Sequence, residues 1–371
     1  MKTNFVKLRW LFTMLLFVTT MIMPTMMLAK SINLKIPEGD GAGTPYKIGT
    51  AEELYWFAGL VNGTLPGVKK DLSANAILTD DIIVNTGVLD PNKDLVSGND
   101  FIEWIPIGKS SSDDDAYTGT FDGNGHTISG LYFNKSNSWY VGLFGCIGAE
   151  GKISNVGVSE SYFQSSNCPY IGGVCGSNSG ELQNCSNSST VIGKENEYRI
   201  GGVCGDNSGT IKSCYNTASV SGQYSVGGVS GSLGSDVTNC YYLSGTVADG
   251  KSGIGGQKDE NGKAEKMSLE QFKSGEVAWL LNGSKSVSTE ESTLAWYQKL
   301  DENADAYPVL KSTDHNMYIK HPSSLATGQP VLVNMQTNQK ATSCLTTIRW
   351  QKRLMKERQI FIARNALYAT M

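Results

Sequence analysis

Short apolar groups alternate with polar turns of Asn, Ser and Gly between residues 140 and 243. Four of these groups share one pattern, an apolar residue followed by glycine, further apolar residues and a closing glycine: 141–145, 171–176, 200–205 and 226–231. Their first glycines stand at 142, 172, 201 and 227, so the spacing is nearly constant and shortens slightly along the chain. A second short apolar strand follows each group, at 153–156, 182–185, 211–214 and 237–240. Such repeats are typical of a solenoid in which each repeat forms one coil.

One repeat is too short to bury a core alone, so we expect neighbouring coils to stack. Parallel stacking pairs each strand with its equivalent in the next coil, and Gly and Asn supply the tight turns. The pattern therefore predicts an all-β fold, a right-handed parallel β-helix (solenoid) with short helical capping segments. In the second strand, Ile211 and Cys214 enclose a polar pair, which predicts a bend or bulge at the end of the strand. The pattern leaves open which face of the first strand is interior.

Two short helices are predicted on either side of the repeats. The Thr-x-x-Glu spacing at 50–53 is that of a capping box, and apolar residues follow at helical spacing over 54–61. A Ser-x-x-Gln signature at 268–271 precedes a further apolar stretch over 277–281. We expect both helices to cover the open ends of the solenoid, whose terminal strands would otherwise be exposed edges.

The segment 1–29 has the pattern of a secretory signal peptide. Basic residues up to Arg9 precede an uncharged run over 10–29, which closes on the small residue Ala29. The alternative is a membrane anchor, but Pro24 shortens the apolar run below the roughly 20 residues that a span prefers. We therefore expect an exported protein, extracellular or on the outer surface with the periplasm left open, and no membrane span in the mature chain.

The remaining chain divides into four predicted segments. They are an N-terminal cap with the first coils (30–135), the glycine-rich repeats (136–250), a C-terminal cap with a short helix (251–320) and a basic tail (321–371). The tail has neither Gly nor Pro over 331–371 and carries a cluster of Lys and Arg over 349–364. A poorly ordered tail, a basic helical appendage and a segment unrelated to the repeats remain open for it.

Composition narrows the class of protein. Gly supplies 42 of the 371 residues and only 18% are charged, with a formal net charge of −4. The glycines follow no collagen period, and 40% apolar residues argue against wholesale disorder. A general nucleic-acid binder would need a strong basic excess to neutralise phosphates, so we expect no nucleic-acid partner.

The eight cysteines follow the repeat rather than a disulfide pattern. Cys175 and Cys204 are separated by one repeat, and so are Cys185 and Cys214. Residues at one repeat position stack as a column, and neighbouring strands in register rarely have disulfide geometry. We therefore predict free, buried thiols, although an even count in an exported chain leaves disulfides as the alternative. Zinc is not expected, because there is no C-x-x-C and no His lies near a Cys in the sequence.

The two repeated strands resemble the GLUG motif, which is common in secreted proteins of Bacteroidetes and some Firmicutes. The first glycine-rich strand matches at 141–145 and the Ile-x-Ser-Cys strand at 211–214, with supporting flanks at 117–128 and 270–281. The resemblance covers about 45–320. It implies a β-helical surface or secreted protein. The resemblance does not imply a catalytic activity, because GLUG repeats also occur beside unrelated domains, including some peptidases.

Few residues offer catalytic chemistry. The three histidines, at 126, 315 and 321, do not have the spacing of the H-E-x-x-H motif, which excludes a zinc peptidase of that class. No G-x-S-x-G elbow and no dinucleotide-binding fingerprint occurs in the sequence. A β-helical polysaccharide lyase or glycoside hydrolase, the main enzymatic alternative, would need converging carboxylates. The acidic cluster near the repeats comprises Asp113–Asp115 and Asp122, which is close to His126, and no acid recurs at a fixed repeat position. We predict a non-enzyme with no catalytic residue, no cofactor and no metal site.

One repeated position is a candidate binding site. Tyr140, Tyr170, Tyr198 and Tyr224 each lie two or three residues before the first repeat glycine. A column of aromatic rings along a solenoid would suit a glycan or a host or bacterial surface protein, because exposed aromatic side chains are enriched in interfaces. The predicted function is therefore adhesion or glycan/protein binding along the solenoid face. Corner packing between coils is the alternative role of the tyrosines, and a structural spacer with no ligand is the alternative function.

Overall fold

The computed structural model describes residues 32–310, except 98, 195–197, 233–235, 260–261, 285–293 and 301–303, together with two short strands near 318 and 332. The predicted signal peptide lies outside the described residues, and so does the tail apart from 331–333. The described helices are α1 (Ala51–Asn62), α2 (Leu269–Lys273) and α3 (Glu276–Leu281).

The described strands, in chain order, are β1 (Tyr46–Ile48), β2 (Ala76–Leu78), β3 (Ile82–Ile83), β4 (Thr120–Asp122), β5 (Thr127–Ser129), β6 (Tyr132–Ser136), β7 (Tyr140–Val141), β8 (Phe144–Ile147), β9 (Lys152–Ser154), β10 (Gly157–Ser166), β11 (Tyr170–Gly172), β12 (Cys175–Asn178), β13 (Glu181–Gln183), β14 (Ser186–Gly193), β15 (Arg199–Gly201), β16 (Cys204–Asn207), β17 (Thr210–Lys212), β18 (Tyr215–Asn216), β19 (Val220–Ser221), β20 (Ser225–Ser230), β21 (Asp236–Thr238), β22 (Cys240–Leu243), β23 (Ser252–Ile254), β24 (Ala264–Met267), β25 (Met317–Ile319) and β26 (Val331–Val333).

Three parallel sheets run the length of the molecule. The first has the order β1-β2-β4-β9-β13-β17-β21, and the second has the order β24-β22-β18-β14-β10-β5-β3, with β19 beside β14 and β6 beside β10. The third is β7-β11-β15-β20-β16-β12-β8, with β23 beside β20. Each repeat contributes to all three sheets in turn, which gives a solenoid of about seven turns. The predicted parallel β-solenoid is confirmed.

Register keeps equivalent residues together. Leu182 pairs with Ile153 on one side and with Ile211 on the other, and all three side chains are fully buried. Burying one such side chain stabilises the fold by roughly 1.5–3 kcal/mol. The interior column therefore supplies the core that a single coil lacks.

Between the first and second sheets, each repeat turns through one left-handed residue. Asn155, Asn184, Ser213 and Asn239 occupy this position with φ of 55°, 53°, 54° and 51°. Asn adopts this conformation more readily than most residues. The Asn184 amide also donates to Asn155 Oδ1 at 2.9 Å, one coil away. The bend predicted at the end of the second strand is confirmed.

The glycine pairs make room for buried side chains. A Cβ on Gly173 would lie 2.3 Å from Asn187 Cγ, and one on Gly202 would lie 2.3 Å from Asn216 Cγ. Both asparagines are fully buried, and Asn187 Nδ2 donates to Asn216 Oδ1 at 2.9 Å. At Gly173 and Gly202 the missing side chain therefore leaves the space that a buried pair of stacked asparagines occupies.

Helix α1 covers the N-terminal end of the solenoid. Its Phe57 ring is fully buried and contacts Phe121 with a centroid distance of 6.0 Å. Thr50 Oγ1 caps the helix by accepting from Glu53 N at 3.3 Å. The Glu53 carboxylate accepts from Gly49 N at 2.8 Å. Thr50 therefore forms its half of the predicted capping box, while Glu53 reaches one residue further back.

Helices α2 and α3 cover the C-terminal end. Ser268 and Gln271 form the complete capping box that the sequence predicts. The buried rings of Phe272 and Trp296 pack against Tyr215 of the last coils. Trp296 Nε1 also donates to Ser213 O at 3.0 Å. This cap thus satisfies backbone groups at the end of the stack as well as covering its core.

The seven described cysteines are buried free thiols, as predicted, and Cys344 lies outside the described residues. Cys175 pairs in register with Cys204. Cys214 lies in the column that begins with Val156, where its Sγ donates to Lys212 O at 3.3 Å. In the described part of the chain the longest helix has 12 residues, and no helix has the length and apolar character needed to cross a membrane.

Candidate functional site

The predicted tyrosines lie at the corner between the second and third sheets. Tyr140 pairs with Tyr170, and the next two residues at that position are Arg199 and Ser225. Tyr198 and Tyr224 precede those two by one residue. The four tyrosines therefore do not form one column, and that prediction is wrong. The glycines fix the register of each coil, so an offset of one residue moves a side chain to the neighbouring position.

We call Tyr140, Tyr170, Arg199 and Ser225 the inner column. The Tyr140 and Tyr170 rings are stacked with centroids 5.3 Å apart, and Arg199 Cζ lies 5.6 Å from the Tyr170 centroid. The Tyr140 hydroxyl is hydrogen-bonded to Ser111 Oγ at 2.9 Å. Partial burial raises the pKa of Tyr140. The rings of this column cover one another, as expected for the corner-packing alternative.

We call Trp139, Pro169, Tyr198 and Tyr224 the outer column. Each of these residues directly precedes a residue of the inner column, so the two columns share one register. Two backbone hydrogen bonds between coils agree with this alignment: Arg199 N donates to Pro169 O at 2.9 Å, and Ser225 N donates to Tyr198 O at 3.1 Å. The three aromatic side chains are 64%, 61% and 57% exposed, in chain order. The Tyr198 and Tyr224 rings are stacked, with centroids 5.9 Å apart and an interplanar angle of 16°.

Sequence reasoning missed two members of the outer column. Trp139 and Pro169 each directly precede a tyrosine of the inner column, so the strand register would have aligned them with Tyr198. That register was not apparent from the sequence, because the tyrosines themselves suggested a different alignment. An exposed tryptophan beside a repeat strand was the available signal.

The border of the outer column is polar on its second-sheet side, where the exposed Lys194 follows Ser166 at the same repeat position. Asn137 and Asn167 occupy left-handed turns one coil apart, and Asn167 Nδ2 donates to Asn137 Oδ1 at 3.3 Å. Ser166 Oγ donates to Ser136 Oγ at 2.9 Å. This side therefore presents amide and hydroxyl groups, which both donate and accept hydrogen bonds.

Charge on the third-sheet side is paired. Arg199 Nη1 donates to Asp206 Oδ1 at 2.7 Å, and the Asp206 side chain is only 15% exposed. Ser232 Oγ donates to the same carboxylate oxygen at 2.5 Å. The guanidinium at this corner thus lies beside a carboxylate, and its charge is largely compensated there.

Two of the acids singled out in the sequence have structural partners. Asp122 Oδ1 accepts from Asn124 N at 2.8 Å and from Asn155 Nδ2 at 3.0 Å, as a turn residue would. Asp115 Oδ1 accepts from Lys70 Nζ at 2.5 Å, and this hydrogen bond holds the pKa of Asp115 below its usual range. None of these hydrogen bonds involves His126.

His126 lies instead beside Asp80 and Asp81, with ligand atoms of all three within 4.8 Å of one another. His126 Nδ1 is 3.3 Å from Asp81 Oδ1, which also accepts from Thr127 N at 2.8 Å. Both aspartates are exposed, and these atoms could hold a divalent cation. No sequence signal marks this cluster, because pairing between β3 and β5 brings together residues about 45 positions apart.

A cleft of about 540 Å³ adjoins this cluster at the N-terminal end of the solenoid. Two carboxyl side chains, Glu52 and Asp81, contribute to its lining. Apolar side chains also contribute, among them Ile32, Ile83 and Ile102. The cleft is formed by the first coils, far from the C-terminal cap.

No protein-family model matches the chain. Two curated proteins are similar to part of it. "Halomucin" of Haloquadratum walsbyi is 38% identical over 84 residues, which is 23% of this chain and 1% of that protein. "Putative Gly-rich membrane protein" of Evansella cellulosilytica is 33% identical over 78 residues, 21% of this chain and 9% of that protein. The chain thus spans a small fraction of the length of either relative.

A solved structure is also similar, described as the "crystal structure of a putative immunoglobulin A1 protease from Bacteroides ovatus". The TM-score is 0.35 at 17% sequence identity, with 74% of this chain and 98% of the other covered. The β-solenoid itself fits a repeat surface protein.

Proposed function

We propose that this protein is an exported, non-catalytic repeat protein of the GLUG type that binds a glycan or a surface protein along the corner formed by the outer column. One observation carries the proposal. All the exposed large aromatic side chains of the described residues, namely Trp139, Tyr198 and Tyr224, belong to this one column. The described aromatic residues of the interior and of both caps are buried or partly buried.

Exposed apolar surface is unfavourable in water, so covering it with a partner favours binding. Exposed aromatic side chains scattered singly need no explanation, but a contiguous group of them is typical of an interaction surface. Tyr and Trp combine a large apolar area with a hydrogen-bonding group and are enriched where partners bind. A line of such residues on a rigid solenoid suits an extended ligand.

Export is supported by the signal-peptide pattern over 1–29. The names of the two relatives, "Halomucin" and "Putative Gly-rich membrane protein", support the same proposal. We therefore propose that this protein lies outside the cytoplasm, secreted or at the cell surface.

A triple variant tests the proposed function. Trp139→Ala, Tyr198→Ala and Tyr224→Ala together should weaken binding at least tenfold in glycan arrays and in pull-downs of surface proteins, because the apolar contact area is lost. The matched control is Leu34→Ala, Ile36→Ala and Val68→Ala, which removes exposed aliphatic side chains elsewhere. Native-like binding by the aromatic variant, or binding lost equally in both variants, would contradict the proposal.

The alternative function is a polysaccharide-acting enzyme, and the cleft lined by Glu52 and Asp81 is the observation that favours it. Most glycosidases cleave the glycosidic bond with a pair of carboxyl side chains in one cleft. A screen for new reducing ends or unsaturated products on polygalacturonate, mucin and host glycans separates the two. Activity abolished by Glu52→Gln or Asp81→Asn would establish the enzyme; we expect none. A spacer with no ligand would give neither binding nor activity.

A further inference from the structure

The outer column has one position without an aromatic ring. Pro169 lies between Trp139 in the preceding coil and Tyr198 in the following coil. Parallel strands are about 4.8 Å apart, so the two aromatic residues are separated by about 9.6 Å along the stack. A ring placed over Pro169 would lie about 4.8 Å from each neighbour, within the range of roughly 4.5–7 Å found for stacked rings. Tyr198 and Tyr224 show such a spacing already, at 5.9 Å.

The stacking also determines which ring faces are free. Tyr224 covers one face of Tyr198, so the free face of Tyr198 is directed along the column towards the coil of Pro169. Trp139 holds the equivalent position in the coil before Pro169 and is 64% exposed. Tyr224 acts as a positioning residue, since it contacts Tyr198 rather than the space itself.

We propose that the space over Pro169, which we call the Pro169 gap, binds one pyranose ring of a neutral glycan chain between Trp139 and Tyr198. This inference rests on the proposed function and specifies its ligand class. A saturated sugar ring has C–H groups on its faces, which the negative faces of aromatic rings attract, and hydroxyl groups around its rim. The gap offers both kinds of partner.

The border of the gap offers neutral hydrogen-bonding groups to a sugar. Asn137, Asn167 and Ser166 present amide and hydroxyl groups that suit sugar hydroxyls. On the other side, Arg199 is paired with Asp206 and is stacked near Tyr170, so its charge is already compensated.

Two substitutions at one position test the gap. Pro169→Tyr supplies a ring from the protein itself and should fill the space, whereas Pro169→Ala leaves it open. The probes are cellohexaose, mannohexaose and maltohexaose, titrated into the full mature chain, and the tightest of these is carried forward. We expect Pro169→Tyr to weaken its binding at least tenfold and Pro169→Ala to change it less than threefold. Circular dichroism and the melting temperature check that both variants fold.

Tryptophan fluorescence gives an independent readout. Of the described tryptophans, Trp139 is exposed, while Trp56, Trp104, Trp279 and Trp296 are buried. Binding of the hexaose should therefore shift the emission of the native chain to shorter wavelength. Trp139→Phe should abolish this shift and retain binding, because the ring remains. An emission shift that persists in Trp139→Phe would contradict binding at the Pro169 gap.

The outcomes separate this inference from the proposed function. If the hexaose binds and the triple aromatic variant loses it, but Pro169→Tyr binds like the native chain, the gap is overturned and the proposed function stands. If the native chain captures a surface protein through the outer column and binds none of the hexaoses, the neutral-glycan ligand is overturned and the binding face stands. If the native chain binds no ligand of any kind, both are overturned.

Discussion

At the scale of single residues, the absence of a side chain at Gly202 is a packing requirement. The space that its Cβ would occupy is filled by the amide of Asn216 and by the Gly228 carbonyl, each 2.3 Å from the Cβ position. Asn216 in turn accepts from Asn187 and is fully buried. One added methyl group would therefore displace a hydrogen-bonded column as well as the backbone of the next coil.

We expect Gly202→Ala to lower the free energy of unfolding by about 1–3 kcal/mol, the usual effect of overpacking a tight interior. Urea denaturation followed by circular dichroism measures it. Gly43→Ala is the matched control, because its added Cβ would meet nothing closer than Asp40 Oδ2 at 3.7 Å and the residue has no left-handed φ. Equal urea midpoints for the two variants would show that the close approach at Gly202 does not affect the stability of the fold.

At the scale of elements, the column Val156, Cys185, Cys214 and Cys240 shows what a repeat position requires. All four side chains are buried and small, and the three thiols each donate to a carbonyl two residues earlier, at 3.2–3.3 Å. Burial raises the pKa of Cys214 and of Cys240 well above the ordinary value. The column thus behaves as a row of small apolar groups.

This burial gives stability a pH dependence. An unfolded thiol ionises near pH 8.5, whereas the folded thiols stay protonated, so above that pH the unfolded state binds fewer protons. The free energy of unfolding should fall between about pH 8.5 and 10, by roughly 1.4 kcal/mol per thiol and pH unit. The Cys214→Val, Cys240→Val variant copies Val156 and should lose that part of the slope. Urea midpoints from pH 7 to 10 measure it, and identical slopes would refute the explanation.

The sequence predicted those elements whose signal is periodic. The columns through Ile211 and Cys214, and the bend at Ser213, follow from residues that recur at one repeat position. Tyr198 was misaligned because backbone contacts of the glycines set the register, and a one-residue offset is invisible in a list of tyrosines. The approach of His126 to Asp81 has no periodic signal at all, since it depends on a single pairing of two short strands.

At the scale of the whole molecule, stability depends on covering both ends of the stack. Strand β21 has no further neighbour in the first sheet among the described residues, and the C-terminal cap packs against the last coils through Trp296 and Tyr215. Each coil contacts mainly its neighbours, so damage at one end need not spread through the stack. The N-terminal end has a separate cover in α1.

Trp296→Ala should therefore open the C-terminal end preferentially. The substitution removes a fully buried indole and leaves Ser213 O without its donor, which predicts a loss of about 3–5 kcal/mol locally. Hydrogen exchange measured by mass spectrometry should show lost protection over 236–243 and 264–267, while 152–166 stays protected. Trp139→Ala is the control, because that indole is exposed. Uniform loss of protection along the chain would indicate that the solenoid unfolds as one cooperative unit.

In-register stacking also makes the length of this molecule adjustable. Every middle coil offers its successor the same backbone groups and the same interior positions, so a whole unit such as 172–200 has equivalent junctions at both ends. Unequal recombination within the gene would then insert or delete complete turns without creating a new interface. The number of aromatic positions along the corner would change with each event, and avidity for a polymeric ligand could evolve by gene duplication rather than by redesign of a pocket.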